Sequence, residues 1–252
     1  MRTRLDALIV AATAGEVARL GAALVRRRRQ ATGCQPVTIG WLAGRRVGLL
    51  CAGLGKANTA LALGAALSRV EPALLLAVGM GGAYAGSGLE PGDLAVASEE
   101  IYGDEGVETA EGWKGLESIG IPLWSGPDGR VHWNRLPAAA PEGSALLSAA
   151  RSVGHAAAGP FVTVSTVTGT EERAAWLARR FGAVCESMEG AAAAHAALAW
   201  RVPFGEVRGI SNRVGPRDRA SWKLTEAAAA AQEAAEAFLR AWSPTGPDDP
   251  AP

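Results

Sequence analysis

The chain has 252 residues, 48% of them apolar, and its 25 basic and 25 acidic side chains cancel to a net charge of zero. That length and apolar share suit one sizeable α/β domain with a substantial core, and the charge balance gives no electrostatic reason to expect nucleic acid or a membrane surface as a partner. Cys34, Cys51 and Cys185 form neither a CxxC nor a Cys/His pair at zinc spacing, no stretch reaches the ~20 apolar residues of a membrane span, and the start shows no small-residue cleavage site, so reduced thiols in a cytoplasmic protein are expected.

Residues 5–11 (LDALIVA) form a continuous apolar run, the pattern of a strand buried on both faces. A helix is expected over 16–28, with Arg26 to Arg29 at its solvated end. Residues 37–42 and 46–51 read as a hairpin around Ala43-Gly44-Arg45. AGLGKANTALALGAALSRV then turns from glycine-rich into a helix, and Pro72 resets the chain for the strand ALLLAVGMGG. A strand over 93–101 follows.

Residues 103–141 carry Gly, Pro, three tryptophans and scattered carboxylates without a sustained period, which suggests a long connection inside one domain. Helices are expected over 142–153 and 170–181, with strands in GPFVTVSTV and over 183–187. An alanine-rich helix comes after Glu189, a last strand over 203–210, and a terminal helix over 220–242. The Pro/Asp-rich tail 243–252 is expected to be disordered, leaving 1–242 as the domain. Strands alternating with helices predict a single-domain three-layer α/β/α sandwich around a mixed, mostly parallel sheet, with ligands held where strand C-termini meet glycine-rich turns.

Two such turns are Gly53-Leu54-Gly55-Lys56 and Gly79-Met80-Gly81-Gly82. Glycine lets backbone N–H groups come close to a ligand oxygen. Neither turn completes a P-loop or a GxGxxG fingerprint, so no nucleotide cofactor is expected. Glu16 follows the first strand, where a carboxylate can serve the helix dipole alone. Glu189, at the end of AVCESM, can cap the next helix or bind a diol through two acceptor oxygens. In Ile210-Ser211-Asn212 an apolar strand ends on a hydroxyl and a carboxamide, a turn residue or a group able to donate and accept toward a heterocycle. His132, His155 and His195 show no metal spacing, and no metal is expected.

The order AxxxGEV, CAGLGKANTA, GMGGAY, LEPGDLAVASEEIYGDEG, TVTGT, SMEG and RGISN, spread over residues 5 to about 242, resembles the nucleoside phosphorylase/nucleosidase superfamily. Within it the chain is similar to the nucleosidases acting on methylthioadenosine and S-adenosylhomocysteine, and most of all to the branch that hydrolyses futalosine in menaquinone biosynthesis. SMEG and ISN, in that order and spacing, carry the resemblance; the glycine turns support it.

The resemblance implies a purine nucleoside as substrate, no cofactor, and a homo-oligomer, commonly a dimer whose neighbour helps close the 5′ end. It implies that Glu16 activates water, that Met188 and Glu189 bind ribose, and that Arg208 supports the site. It also implies that Gly53, Met80, Gly81, Gly82, Val167 of TVTGT, Ser211 and Trp222 border the substrate. Asn212 departs from the aspartate of adenine-directed nucleosidases. Hypoxanthine presents O6 and N7, both acceptors, which a carboxylate repels and an amide NH₂ can meet, so Asn212 predicts a 6-oxopurine and a catalytic part in its departure. Trp222 with Arg217 or Arg219, or the tryptophans of the long connection, could meet an aromatic carboxylate at the 5′ end. The phosphorylase branch carries a GDP-type turn after the first strand and an arginine and hydroxyl near the fourth; none of these stands here, so water is the expected nucleophile. A phosphorolytic or adenine-directed enzyme and a noncatalytic nucleoside-binding protein on the same fold are the alternatives.

Overall fold

The computed structural model describes residues 1–138 and 142–244. Its strands are β1 (Thr3–Ala11), β2 (Val25–Gln30), β3 (Val37–Leu42), β4 (Arg45–Cys51), β5 (Val70–Ala83), β6 (Leu94–Tyr102), β7 (Val107–Thr109), β8 (Gly112–Lys114), β9 (Trp124–Ser125), β10 (Val131–His132), β11 (Arg135–Pro137), β12 (Ala156–Thr163), β13 (Cys185–Ser187) and β14 (Phe204–Arg213). The helices are α1 (Ala18–Ala23), α2 (Lys56–Leu67), α3 (Glu142–Val153), α4 (Glu171–Phe181), α5 (Gly190–Trp200) and α6 (Leu224–Ala241).

The main sheet runs β11-β6-β12-β13-β5-β1-β4-β3-β2, with β14 paired to both β5 and β6. β1 lies parallel to β4 and β5, and β14 parallel to β5, whereas β2-β3-β4, β13-β5, β14-β6 and β11-β6 are antiparallel. Because β14 bridges β5 and β6, the strands β5, β14, β6, β12 and β13 close into a ring. The apolar run of β1 is buried on both faces for a direct reason. Leu8 and Val10 pack with residues of α2 and α5, while Ala7, Ile9 and Ala11 pack with residues of α1, α3 and α6. Helices on both faces of one sheet make the expected three layers.

Local chemistry sets several boundaries. Ala43 and Gly44 both have positive φ, 51° and 77°, as a two-residue primed turn between twisted antiparallel strands requires. The Thr170 side chain accepts from the Arg173 N–H at the start of α4, and Gly182, at φ 65°, closes it in the left-handed conformation. α6 lies flush on β14 because Gly209 has no side chain: a Cβ there would overlap the Ala227 carbonyl.

The helix expected over 16–28 is shorter. A single 3₁₀ turn (Gly15–Val17) leads into α1, which stops at Ala23, and the arginine run is the exposed edge strand β2 paired with β3. In a helix Arg26 and Arg29 would share a face, whereas a strand sends neighbouring arginines to opposite faces and leaves a charged edge that resists further pairing. Pro72 lies inside β5 rather than before it, opposite Leu5 of β1. It is tolerated there because pairing with β14 begins only at Leu75, leaving that side of β5 open.

The long connection contains two small hairpins, β7-β8 and β9-β10, and returns to the sheet as β11. The strand expected in GPFVTVSTV starts earlier, at Ala156, and ends at Thr163. Of the tail, residues 245–252 lie outside the described residues.

Candidate active site

The C-terminal ends of β1, β5, β13 and β14 meet around a cavity of about 240 Å³. It is lined by Glu16, Met80, Gly81, Gly82, Val167, Met188, Glu189, Ser211, Asn212 and Trp222, ten of the twelve residues singled out in the sequence. Gly53 and Arg208 are not on its wall. Gly53 donates its N–H to the Ala12 carbonyl at 3.0 Å and shapes the turn, and it is Gly55, two residues on, that reaches a site carboxylate. Arg208 is buried behind the wall.

Glu16 is 4% exposed, in the 3₁₀ turn after β1. Its Oε1 accepts from the Met80 N–H at 2.9 Å and its Oε2 from the N–H and hydroxyl of Thr13, each at 2.9 Å. The carboxylate can approach β5 this closely because Gly79 has no side chain; a Cβ there would sit 2.6 Å from Oε1. Three donors fix its orientation and leave about one acceptor position, on Oε1, in a side chain that lines the cavity.

Glu189 is the residue before α5, but its side chain does not cap that helix. Its Oε1 accepts from the Gly55 N–H at 2.9 Å, an approach that uses the positive φ of Gly55 (88°), and its Oε2 from Arg208 Nη1 at 3.3 Å. Arg208 also donates from Nη1 to the Met80 carbonyl at 3.1 Å and from Nε to Glu206 Oε1 at 2.6 Å. Burial disfavours the guanidinium charge, but Glu206, Glu189 and Glu16 outweigh it and hold the Arg208 pKa above its ordinary value.

Behind this pair lies a group the sequence reading missed. Glu206 and Glu100 are both fully buried, and Glu100 Oε2 accepts from the Thr163 hydroxyl at 2.9 Å. Burial pushes the Glu100 carboxyl well above the usual carboxylate range, and the charge of Glu206 adds to the effect. Among the described residues, Glu100 Oε1 and Glu206 Oε2 have no hydrogen-bond partner; one proton held between the two carboxyls would satisfy both. Gly190 leaves room for this, since a Cβ there would overlap the Glu100 carboxyl. The visible signal was a charged pair, Glu206 and Arg208, two apart inside an apolar strand, hence on one face.

Asn212 is half-buried at the end of β14, beside a bulge after Ile210. Its Oδ1 accepts from the Ser211 hydroxyl at 2.7 Å and its Nδ2 donates to the Arg213 carbonyl at 2.8 Å, which leaves one amide hydrogen for a ligand. At the mouth, the Arg217 guanidinium lies 4.8 Å from the Trp222 ring centroid. Among the described residues of the wall Arg217 is the one cation. The tryptophans of the long connection are elsewhere: Trp113 packs edge-on against Trp176 and Phe181, and Trp124 against His195. No group of three or more His, Cys, Asp or Glu suited to a metal occurs among the described residues, and none of their helices is long and apolar enough to cross a membrane.

The sequence profile of the Phosphorylase superfamily matches residues 6–242. The chain belongs to this superfamily. Superfamily relatives include the futalosine hydrolase of Streptomyces coelicolor, 40% identical over 205 residues (78% of this chain, 81% of the relative). The futalosine hydrolase of Thermus thermophilus is 39% identical over 190 residues (74% of this chain, 78% of the relative). In fold, the superfamily architecture matches the 5′-methylthioadenosine/S-adenosylhomocysteine nucleosidase of Neisseria meningitidis with a TM-score of 0.81 at 22% identity, covering 94% of this chain and 99% of that one.

Proposed function

We propose that the protein hydrolyses the N-glycosidic bond of futalosine, releasing hypoxanthine. The observation that carries this reading is the convergence of Glu16, Glu189 and Asn212 on one cavity whose only described wall cation, Arg217, lies at the mouth over Trp222. Phosphate as nucleophile would have to sit between two buried carboxylates, whereas water suits them. The curated futalosine hydrolases at 39–40% identity support the substrate.

As the glycosidic bond lengthens, the ribosyl group gains oxocarbenium character. Glu189 and Met188 hold the ribose, and the Glu189 carboxylate stabilises the developing positive charge. Glu206 takes the Nε of Arg208, so the arginine orients Glu189 without fully neutralising it. Glu16 orients water and accepts its proton, while the free N–H of Asn212 meets O6 or N7 of the departing base. Trp222 and Arg217 meet the aromatic carboxylate at the 5′ end.

The protein acts in the cytoplasm as a homodimer. Free Cys34, Cys51 and Cys185 support a reducing compartment. Leu54, which borders the cavity and is 60% exposed, and Leu61 of α2, 65% exposed, offer apolar surface to a neighbour; light scattering showing only monomer would remove that part. For the activity, the test is release of free base from futalosine, inosine and methylthioadenosine with and without phosphate. Hypoxanthine from futalosine without phosphate is expected; dependence on phosphate, or a preference for methylthioadenosine, would overturn the assignment.

A further inference from the structure

Asn212 by itself is a poor judge of the base. Its one free N–H can meet N7, which is an acceptor in 6-oxopurines and 6-aminopurines alike, so discrimination needs a second group. The sheet supplies one.

Gly82 of β5 pairs with Asn212 of β14 on one side and with Glu186 of β13 on the other. Directly paired residues face the same side of a sheet, and Gly82 puts no side chain between them. A Gly82 Cβ would stand 2.8 Å from Val214 Cγ2 and 3.3 Å from Asn212 Nδ2, so a larger residue would crowd both. Two strand spacings separate the backbones of Glu186 and Asn212 by about 9–10 Å, and both side chains line the cavity from either side of Gly82.

Glu186, Gly82 and Asn212 all line the cavity, and Glu186 is 7% exposed. Its carboxylate is held by three donors: the Thr168 N–H at 3.0 Å on Oε1, and the Thr168 hydroxyl at 2.6 Å and Tyr84 hydroxyl at 2.8 Å on Oε2. A carboxylate has about four acceptor positions. The fourth, on Oε1, is left for a ligand.

We propose that Glu186 accepts the N1–H of a 6-oxopurine and is the residue that sets the preference for that base over a 6-aminopurine. A 6-oxopurine carries a hydrogen at N1, whereas a 6-aminopurine presents a lone pair there, which an acceptor-only carboxylate repels. Thr168 and Tyr84 hold the carboxylate still, so it cannot turn away from the wrong base. The proposal rests on the nucleosidase reading above and adds the group that chooses the base.

The test compares kcat/KM for futalosine and for its 6-amino counterpart in the wild type, Glu186→Gln and Tyr84→Phe, with binding of free hypoxanthine, 1-methylhypoxanthine and adenine to each. Glu186→Gln should lower the 6-oxo to 6-amino ratio at least about tenfold, the value of one charge-assisted hydrogen bond, because its amide can donate to the adenine N1. Tyr84→Phe removes one support but keeps the carboxylate, and its ratio should stay within about twofold. Equal losses on both substrates in Glu186→Gln would mark a purely structural role and overturn the proposal. Should Glu186→Gln fail to fold, the wild type still decides: hypoxanthine binding at least about tenfold tighter than 1-methylhypoxanthine, which lacks the N1 hydrogen, supports the proposal, and equal binding refutes it. A wild type that cleaves neither nucleoside would count against the hydrolase reading alone, since the base-binding comparison still tests Glu186.

Discussion

Glu100→Gln isolates the proton that the buried carboxyl pair is argued to hold. Folded Glu100 keeps a proton above the pH of about 4.3 at which an unfolded glutamate loses it, since burial and the neighbouring Glu206 raise its pKa. Over that window the native state binds more protons than the unfolded chain, so this group's contribution to stability is greatest at low pH and falls as pH rises toward the folded pKa. The limiting slope is about 1.4 kcal/mol per pH unit for one proton. Glutamine has no proton to lose, and its NH₂ can donate to Glu206 Oε2 in place of the shared hydrogen. The variant should therefore gain on the wild type as pH rises above about 4.3, at no more than about 1.4 kcal/mol per pH unit. Urea unfolding followed by tryptophan fluorescence at pH 5, 6 and 7 reads this difference. A difference that does not change with pH would refute the shared proton.

Other substitutions probe the rest of the account. Glu16→Gln should remove the water-activating base and cost about 10²–10⁴-fold in kcat, and Glu189→Gln about 10²–10³-fold from lost charge stabilisation; both should keep the wild-type circular dichroism spectrum, and retained turnover in either removes that role. Arg208→Met leaves Glu206 and Glu189 without their buried cation and should destabilise by about 3–5 kcal/mol in chemical denaturation; a loss under about 1 kcal/mol would mean that the carboxylates simply take up protons. Gly209→Ala places a Cβ against the Ala227 carbonyl and should cost about 1–3 kcal/mol through displacement of α6, read as a lowered Tm; an unchanged Tm would show that the helix can give way.

The parts of the fold that depend on local pattern were readable in the sequence: the double-sided burial of β1, the Ala43-Gly44 turn, and the cap-to-Gly182 frame of α4. The arginine run was not, because its strand state depends on β3, whose pairing is non-local. The place of Glu16, Glu189 and Asn212 on the cavity wall was readable since each stands where an apolar run ends beside glycines or small residues. Glu186 was missed although it lies only three positions before Glu189. Inside so short a strand it has the look of a structural residue, and its relation to Asn212 exists only through Gly82, a hundred residues away in sequence. Glu100 and Glu206 are likewise joined only by the closure of β14 onto β6. The aromatic content of the long connection suggested a substrate surface, yet Trp113 spends its ring on Trp176 and Phe181.

In the proposed reaction, water held by Glu16 replaces the base on the sugar. Incubation with futalosine in phosphate-free buffer made with H₂¹⁸O, followed by mass spectrometry of the sugar product, reads this directly. Hypoxanthine release with one ¹⁸O at the anomeric carbon is expected. A reaction that proceeds only when phosphate is added, and then yields a sugar 1-phosphate without the label, would contradict it.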